Sequence, residues 1–461
     1  MKKFILTILG LCAAVFGHAA TPDTTAVNHP QWSRNAVIYE VNLRQFTPEG
    51  TLKAFEKHIP RLRDTLGVDI LWFMPIHPIS ADGRKGTLGS YYAVRDYKAV
   101  NPEFGTLDDF KKVVKAAHDA GMKVIIDWVP NHSGRDNAWV TEHPDWYVRN
   151  EQGEMYGPFD WTDVYKFDYS NPQMRAAMTD AMQFWLREAD IDGFRCDVAG
   201  QVPVGFWNEN APQLREVKPE IFMLAEATEP FLAEHAFDMV YNWPMKDLFS
   251  QIAATQGQYT FADAQGHVRT FPDAHASDIY ALLDRQAAEY PVDTYTMQMT
   301  SNHDLNSWEG TEFQRLGNMA GAFAVLTYTL PGMPLIYTGQ EVGLDRALEF
   351  FEKDKAPDWN ANPQFTAFYR TLNNLRHNSP ALASGKAGAP VERLATASDD
   401  IIAFRRGDIL VIANLGSKAL TLFNENEKPA VNGMKDIFTG ATALPDTLPA
   451  GGYLVFISAG K

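Results

Sequence analysis

The sequence predicts an α/β protein: a closed (β/α)8 TIM barrel with an inserted loop domain after its third strand and a C-terminal antiparallel β-sandwich. Three observations predict it. Short apolar runs alternate with amphipathic stretches through the middle of the chain, the pattern of parallel strands joined by crossover helices. The alternation breaks between His132 and about Phe167, where prolines, glycines and tryptophans follow no helical period. From about Leu382 the period falls to two, with Gly, Asn or Pro at the turns. At 461 residues the chain has room for a barrel of ~250 residues plus attachments. An open doubly wound sheet is the alternative, but no glycine-rich phosphate turn follows the first strand.

The first residues read as a processing signal. Lys2 and Lys3 precede a short apolar run over 4–16, and Ala19 closes a small-residue cleavage site. Residues 1–19 are therefore expected to be a signal peptide, and the product to be exported, periplasmic or extracellular. A buried N-terminal helix is the structural alternative. Leu11 is too bulky to precede a lipid-anchored Cys12, and after cleavage Cys196 alone remains, so no internal disulfide is expected. No other segment is apolar enough to span a bilayer. The net charge of −16 repels phosphate backbones and anionic lipid, which argues against nucleic-acid or polybasic membrane binding.

In order, strands are expected at 36–39, 68–74, 123–126, 191–194, 221–224, 296–299 and 334–337. Helices are expected at 52–66, 107–120, 174–189 and 320–330. The barrel is assigned to 30–131 and 168–380, the insertion to 132–167 and the sandwich to 381–461. In the last, runs at 401–404, 409–412, 420–423 and 453–456 read as strands.

The carboxylates fall at strand ends. Asp127 follows the run 124–126, Asp197 follows 191–194, Glu226 follows 221–224, and Asp304 follows 296–299. In a parallel barrel these ends converge on one face, where active sites lie. Any one of them has a structural reading, because Asp, Asn and His also cap helices and start turns; four together do not. Arg195 precedes Asp197 by two residues and shares its side of the strand, which favours the ionised carboxylate that a nucleophile needs. Glu226 has no cation beside it in sequence and faces other carboxylates, so it is expected to carry a proton. One charged and one protonated carboxyl is the equipment for breaking a glycosidic bond.

The stretches Asp127-Trp128-Val129-Pro130-Asn131-His132, Gly193-Phe194-Arg195-Cys196-Asp197, Glu226 and Ser301-Asn302-His303-Asp304 resemble, in order, the four motifs of the α-amylase family of glycoside hydrolases (family 13). Tyr91-Tyr92 through Tyr97 and Tyr337-Thr338-Gly339-Gln340-Glu341 resemble further segments of that family. The resemblance implies that Asp197 is the nucleophile, that Glu226 is the acid and base, and that Asp304 holds ring hydroxyls and supports the cationic transition state. It implies that Arg195 orients Asp197, that Asp127 braces Arg195, that His132 and His303 donate to sugar hydroxyls, and that Tyr92 stacks on the ring. The implied activity is retaining cleavage of α-1,4-glucosidic bonds in starch or maltooligosaccharides. A cyclomaltodextrinase, α-glucosidase or glucanotransferase of the same family is the alternative, and a non-catalytic sugar-binding protein is the reading from another class.

Three departures bear on binding. Val198-Ala199-Gly200-Gln201 stands where many amylases carry a Lys-His pair. Lys166 stands where the family has a calcium-binding Asp, which takes away the partner of Asn131 at such a site. Residues 43–50 contain no aspartate. These departures argue against a required structural calcium. No His or Cys cluster has zinc spacing, and catalysis is expected to need no cofactor. Of the tryptophans near the predicted loop face (Trp128, Trp139, Trp146, Trp161 and Trp207), half are expected in the core and the others as platforms for sugar rings. Cys196, on the opposite side of its strand from Arg195, is expected to be packing.

Overall fold

The computed structural model describes residues 27–258 and 272–458; the expected signal segment lies outside the described residues. The first ten strands are β1 (Ile38–Val41), β2 (Ile70–Phe73), β3 (Lys123–Trp128), β4 (His132–Gly134), β5 (Val164–Lys166), β6 (Gly193–Cys196), β7 (Phe222–Ala225), β8 (Met239–Tyr241), β9 (Tyr295–Gln298) and β10 (Met333–Tyr337). All but β4 and β5 pair in parallel and close a barrel in the order β1-β2-β3-β6-β7-β8-β9-β10. The seam joins the first strand to the last, with Ile38 opposite Leu335 and Glu40 opposite Tyr337.

Side chains alternate between two apolar layers. Ile38, Ile70, Trp72, Ile125, Leu224 and Met297 fill the barrel interior. Their sequence neighbours Tyr39, Leu71, Phe73, Ile126 and Met223 face outward. There they pack under helices such as Leu107–Asp119, which is opened by a Thr106–Asp109 capping box, and Pro172–Glu188, which is capped by Asn171. Burial on both faces is why these strands read as continuous apolar runs.

Two expectations differ from the structure. The helix expected at 52–66 is split into Leu52–Glu56 and a π-helical turn Arg61–Leu66. Pro60 has no amide hydrogen for the ladder and its ring crowds the preceding turn. The eighth strand, β8, is only Met239-Val240-Tyr241 between Asp238 and Asn242, too short a run to show a period.

The insertion after β3 is organised on the antiparallel pair β4–β5, which sets His132 opposite Lys166. The C-terminal strands are β11 (Glu392–Arg393), β12 (Ile401–Arg406), β13 (Ile409–Asn414), β14 (Leu420–Thr421), β15 (Met434–Asp436), β16 (Thr447–Leu448) and β17 (Tyr453–Ser458). A five-stranded sheet, β11-β12-β13-β17-β15, covers the smaller pair β14-β16. Ile412, Phe456, Leu422 and Leu448 fill the space between them. Among the described residues, no helix is long and apolar enough to cross a membrane.

Candidate active site

Parallel pairing brings the acidic strand ends together. Register sets Asp127 beside Arg195 across β3 and β6, and Cys196 beside Ala225 across β6 and β7. The loops that follow β6 and β7 therefore begin side by side with Asp197 and Glu226. Gly193 lets those two strands approach: at φ +152, a Cβ there would stand 1.9 Å from the Phe222 carbonyl oxygen.

The centre is one guanidinium shared by three carboxylates. Arg195 Nη1 lies 2.9 Å from Asp127 Oδ1 and 3.0 Å from Asp197 Oδ1, and Nη2 lies 2.9 Å from Glu226 Oε2. Arg195 Nε donates to the Tyr241 hydroxyl at 3.1 Å. Asp127 is fully buried, and its second oxygen accepts from Trp72 Nε1 at 3.2 Å and from the Tyr92 hydroxyl at 3.1 Å. Asp127 thus braces Arg195 from below, and both lie beneath the cleft rather than in its lining.

Asp197 is held between opposing influences. Burial pushes its carboxyl well up, Glu226 in hydrogen-bond contact with it pushes further, and Arg195 opposes both. The guanidinium does not suffice because it is divided among three acids. Two carboxyls in contact resist ionising together, which adds to the effect of burial on Asp197. Glu226 has no cation beside it in sequence, but Arg195 lies beside it in space.

A second chain of contacts enters from β1. His303 Nδ1 hydrogen-bonds Glu40 Oε1, and its Nε2 lies 2.8 Å from the Tyr92 hydroxyl and 3.3 Å from Asp304 Oδ1. Burial pushes the His303 ring down, but Asp304 and Glu40 outweigh it and raise the ring to about 9. As an imidazolium it donates from both nitrogens, and the Tyr92 hydroxyl passes the polarity on to Asp127. A histidine raised above its unfolded value of ~6.5 adds stability that is complete below that pH and is lost as pH climbs through 9. His303→Gln is expected to flatten the fall of melting temperature between pH 7 and 9.5; an unchanged slope in calorimetry would contradict this. Burial lowers His132 to about 3, so its ring is neutral at the cleft wall.

These groups open into a cleft of about 790 Å³, within the usual range for sites that enclose a small ligand. Tyr92, His132, Asp197, Glu226, His303 and Asp304 line it. Asn131 does not: it is buried, and its backbone carbonyl accepts from Phe167 at 3.1 Å. The Tyr92 ring lies 5.4 Å from the His303 ring, stacked at 22°. Among the described residues, no three His, Cys, Asp or Glu side chains are grouped to hold a metal ion.

Several residues of the site carried weak signals in sequence. Glu40 carries the same signal as the other acids, a charge ending an apolar strand, one residue beyond the expected strand. Of the five tryptophans singled out, Trp161 alone lines the cleft; Trp128, Trp146 and Trp207 are buried. The aromatic walls are Phe159 from the insertion, 68% exposed, and Trp308 after β9, 59% exposed, with Phe350 and Phe351 beside Trp308. Lys85 reaches Asp163 at 3.3 Å and ties the loop after β2 to the insertion. Cys196 is buried and free.

The model of the alpha amylase catalytic domain matches residues 21–166 and 140–379. An alpha-amylase of Haloarcula japonica is 30% identical over 413 residues, 85% of this chain and 57% of that protein. A maltogenic alpha-amylase of Bacillus acidopullulyticus is 26% identical over 407 residues, 77% of this chain and 64% of that protein. The chain therefore spans less than two thirds of the length of these two relatives. The crystal structure of an alpha-amylase from Lactobacillus plantarum superposes with a TM-score of 0.76 at 28% identity, covering 92% of this chain and 99% of that one. With the family model matched over most of its length and the four motif segments gathered at one mouth of a closed barrel, this chain belongs to the α-amylase family of glycoside hydrolases.

Proposed function

We propose that the protein is an exported retaining hydrolase that cleaves α-1,4-glucosidic bonds in starch or maltooligosaccharides. The observation that carries this reading is that the Asp197 and Glu226 carboxyls touch on one guanidinium, with Asp304 in the same cleft. Carboxyls this close leave no room between them for the water of an inverting displacement.

The reaction needs Asp197 as the carboxylate and Glu226 as the proton donor. Asp197 then attacks the anomeric carbon as the glycosidic C–O bond breaks, and Glu226 gives its proton to the leaving oxygen. Water takes the vacated space. Glu226 removes a proton from it, its oxygen bonds to the anomeric carbon, and Asp197 leaves as carboxylate. Two inversions return the α anomer. Asp304, His132 and His303 are positioned to take ring hydroxyls, and Trp308 and Phe159 offer exposed aromatic faces to flanking sugars.

A digest of maltoheptaose tests the reading. Shorter maltooligosaccharides released as α anomers are expected; absence of cleavage overturns it. The second reading is a cyclomaltodextrinase, α-glucosidase or glucanotransferase, favoured by the absence of the Lys-His pair from the stretch 198–201. Products longer than the substrate would select the transferase. Export rests on residues 1–19. Lys166, opposite His132 in the β4–β5 register and next in space to the Asn131 backbone, supports independence from calcium. EDTA is expected to leave rate and melting temperature unchanged, and a loss restored by calcium would contradict this.

A further inference from the structure

Among the described residues, three other than glycine have left-handed backbone: Phe159, Asp190 and Val198. Val198 is the unusual one. It is β-branched, at φ 44 and ψ 41, where its side chain crowds its own carbonyl. Such a conformation persists only when the surroundings enforce it, and it clusters at functional sites. Both flanks are held here. The Asp197 amide donates to the Trp128 carbonyl at 2.8 Å, the Gln201 amide donates to the Val198 carbonyl at 2.8 Å, and Trp207 Nε1 donates to the Ala199 carbonyl at 3.1 Å. The turn does one thing for the chemistry. It aims the Val198 amide at Glu226, with N to Oε2 2.8 Å.

Glu226 needs that direction. Its contact with Arg195 Nη2 is ionic and off the line of a hydrogen bond, so it attracts without orienting. Its other close partner, Asp197, is a like group. We infer that Val198 is a positioning residue: its enforced left-handed turn points its amide at Glu226 and fixes the acid/base carboxyl on the glycosidic oxygen. This rests on the functional reading above and deepens it. The stretch 198–201, which lacks the family's Lys-His pair, is thereby given a task carried by backbone and not by side-chain charge.

The test separates acid/base work from the rest of the reaction. Val198→Pro removes the amide hydrogen and fixes φ at about −65°, outside the left-handed region, whereas Val198→Gly keeps the amide and adopts that region without strain. On maltoheptaose, V198P is expected to lose about tenfold or more in kcat, a fraction of what a positioned acid supplies, while V198G stays within about threefold of wild type. The second assay uses α-maltosyl fluoride with sodium azide. Fluoride leaves without a proton. Azide then forms the C–N bond as the bond to Asp197 breaks and its electron pair returns to the carboxylate, so no base is needed. There V198P should run within about threefold of wild type and release α-maltosyl azide. V198G melting no lower than wild type is expected alongside.

Equal slowing of V198P on both substrates, no slowing on either, or V198G falling with V198P would overturn the assignment of this role to the backbone turn. A wild type that cleaves neither substrate would instead sink the functional reading, and this inference with it.

Discussion

Asp197→Asn is expected to lower kcat on maltoheptaose by at least about 10⁴-fold, the scale on which losing a nucleophile acts. The amide keeps the shape and the contact with Arg195 but cannot attack the anomeric carbon as an anion. The fold should not suffer. Replacing one of three carboxylates crowded on a single guanidinium removes repulsion, so the melting temperature should hold or rise. Reducing-sugar release and a thermal melt on the same preparation check both halves. Turnover within tenfold of wild type would end the nucleophile assignment.

Arg195→Gln is expected to cost stability and activity together. The guanidinium is fully buried, and its removal leaves Asp127, Asp197 and Glu226 facing one another without a counter-ion. Breaking a buried ionic network this way costs about 3–5 kcal/mol. The loss should depend on pH with a definite sign. Asp127 is already pushed to about 6, chiefly by burial and against the pull of Arg195. A carboxyl raised above its unfolded value of ~3.9 contributes fully below that pH and loses its contribution as pH rises through the folded value. Without Arg195 the folded values climb further. Urea unfolding should therefore show a small deficit at pH 4 and the full one at pH 8. An equal deficit at both would mean that the arginine acts by packing and not by charge.

The barrel and its acidic mouth were legible because each signal is local. A charge that ends an apolar run marks a strand's C-terminal end, and Asp127, Asp197, Glu226 and Asp304 all carry it. Glu40, directly after Tyr39, carries it too, but lies outside the motif segments that the family resemblance rests on. Other features depend on distance in space. The Arg195–Glu226 contact joins neighbouring strands separated by a helix, and no spacing rule shows how one guanidinium divides among three acids. Trp308 and Phe159 differ from the buried Trp128 and Trp207 only in where their loops come to rest. Val198 looks like any apolar residue after a strand, and its backbone angle has no one-dimensional mark. The three-residue β8 is recognisable only by the neighbours it pairs with.

The bond between Glu40 and His303 spans 263 positions, and the seam from β1 to β10 spans nearly three hundred. Both halves of the reaction centre thus wait on the last strand. A growing polypeptide offers no working fragment: until Tyr337 has arrived, Glu40 has no strand beside it on that edge. The site is therefore complete only once β10 has joined β1, and a chain that ends before β10 lacks the closed barrel in which Glu40 and His303 meet.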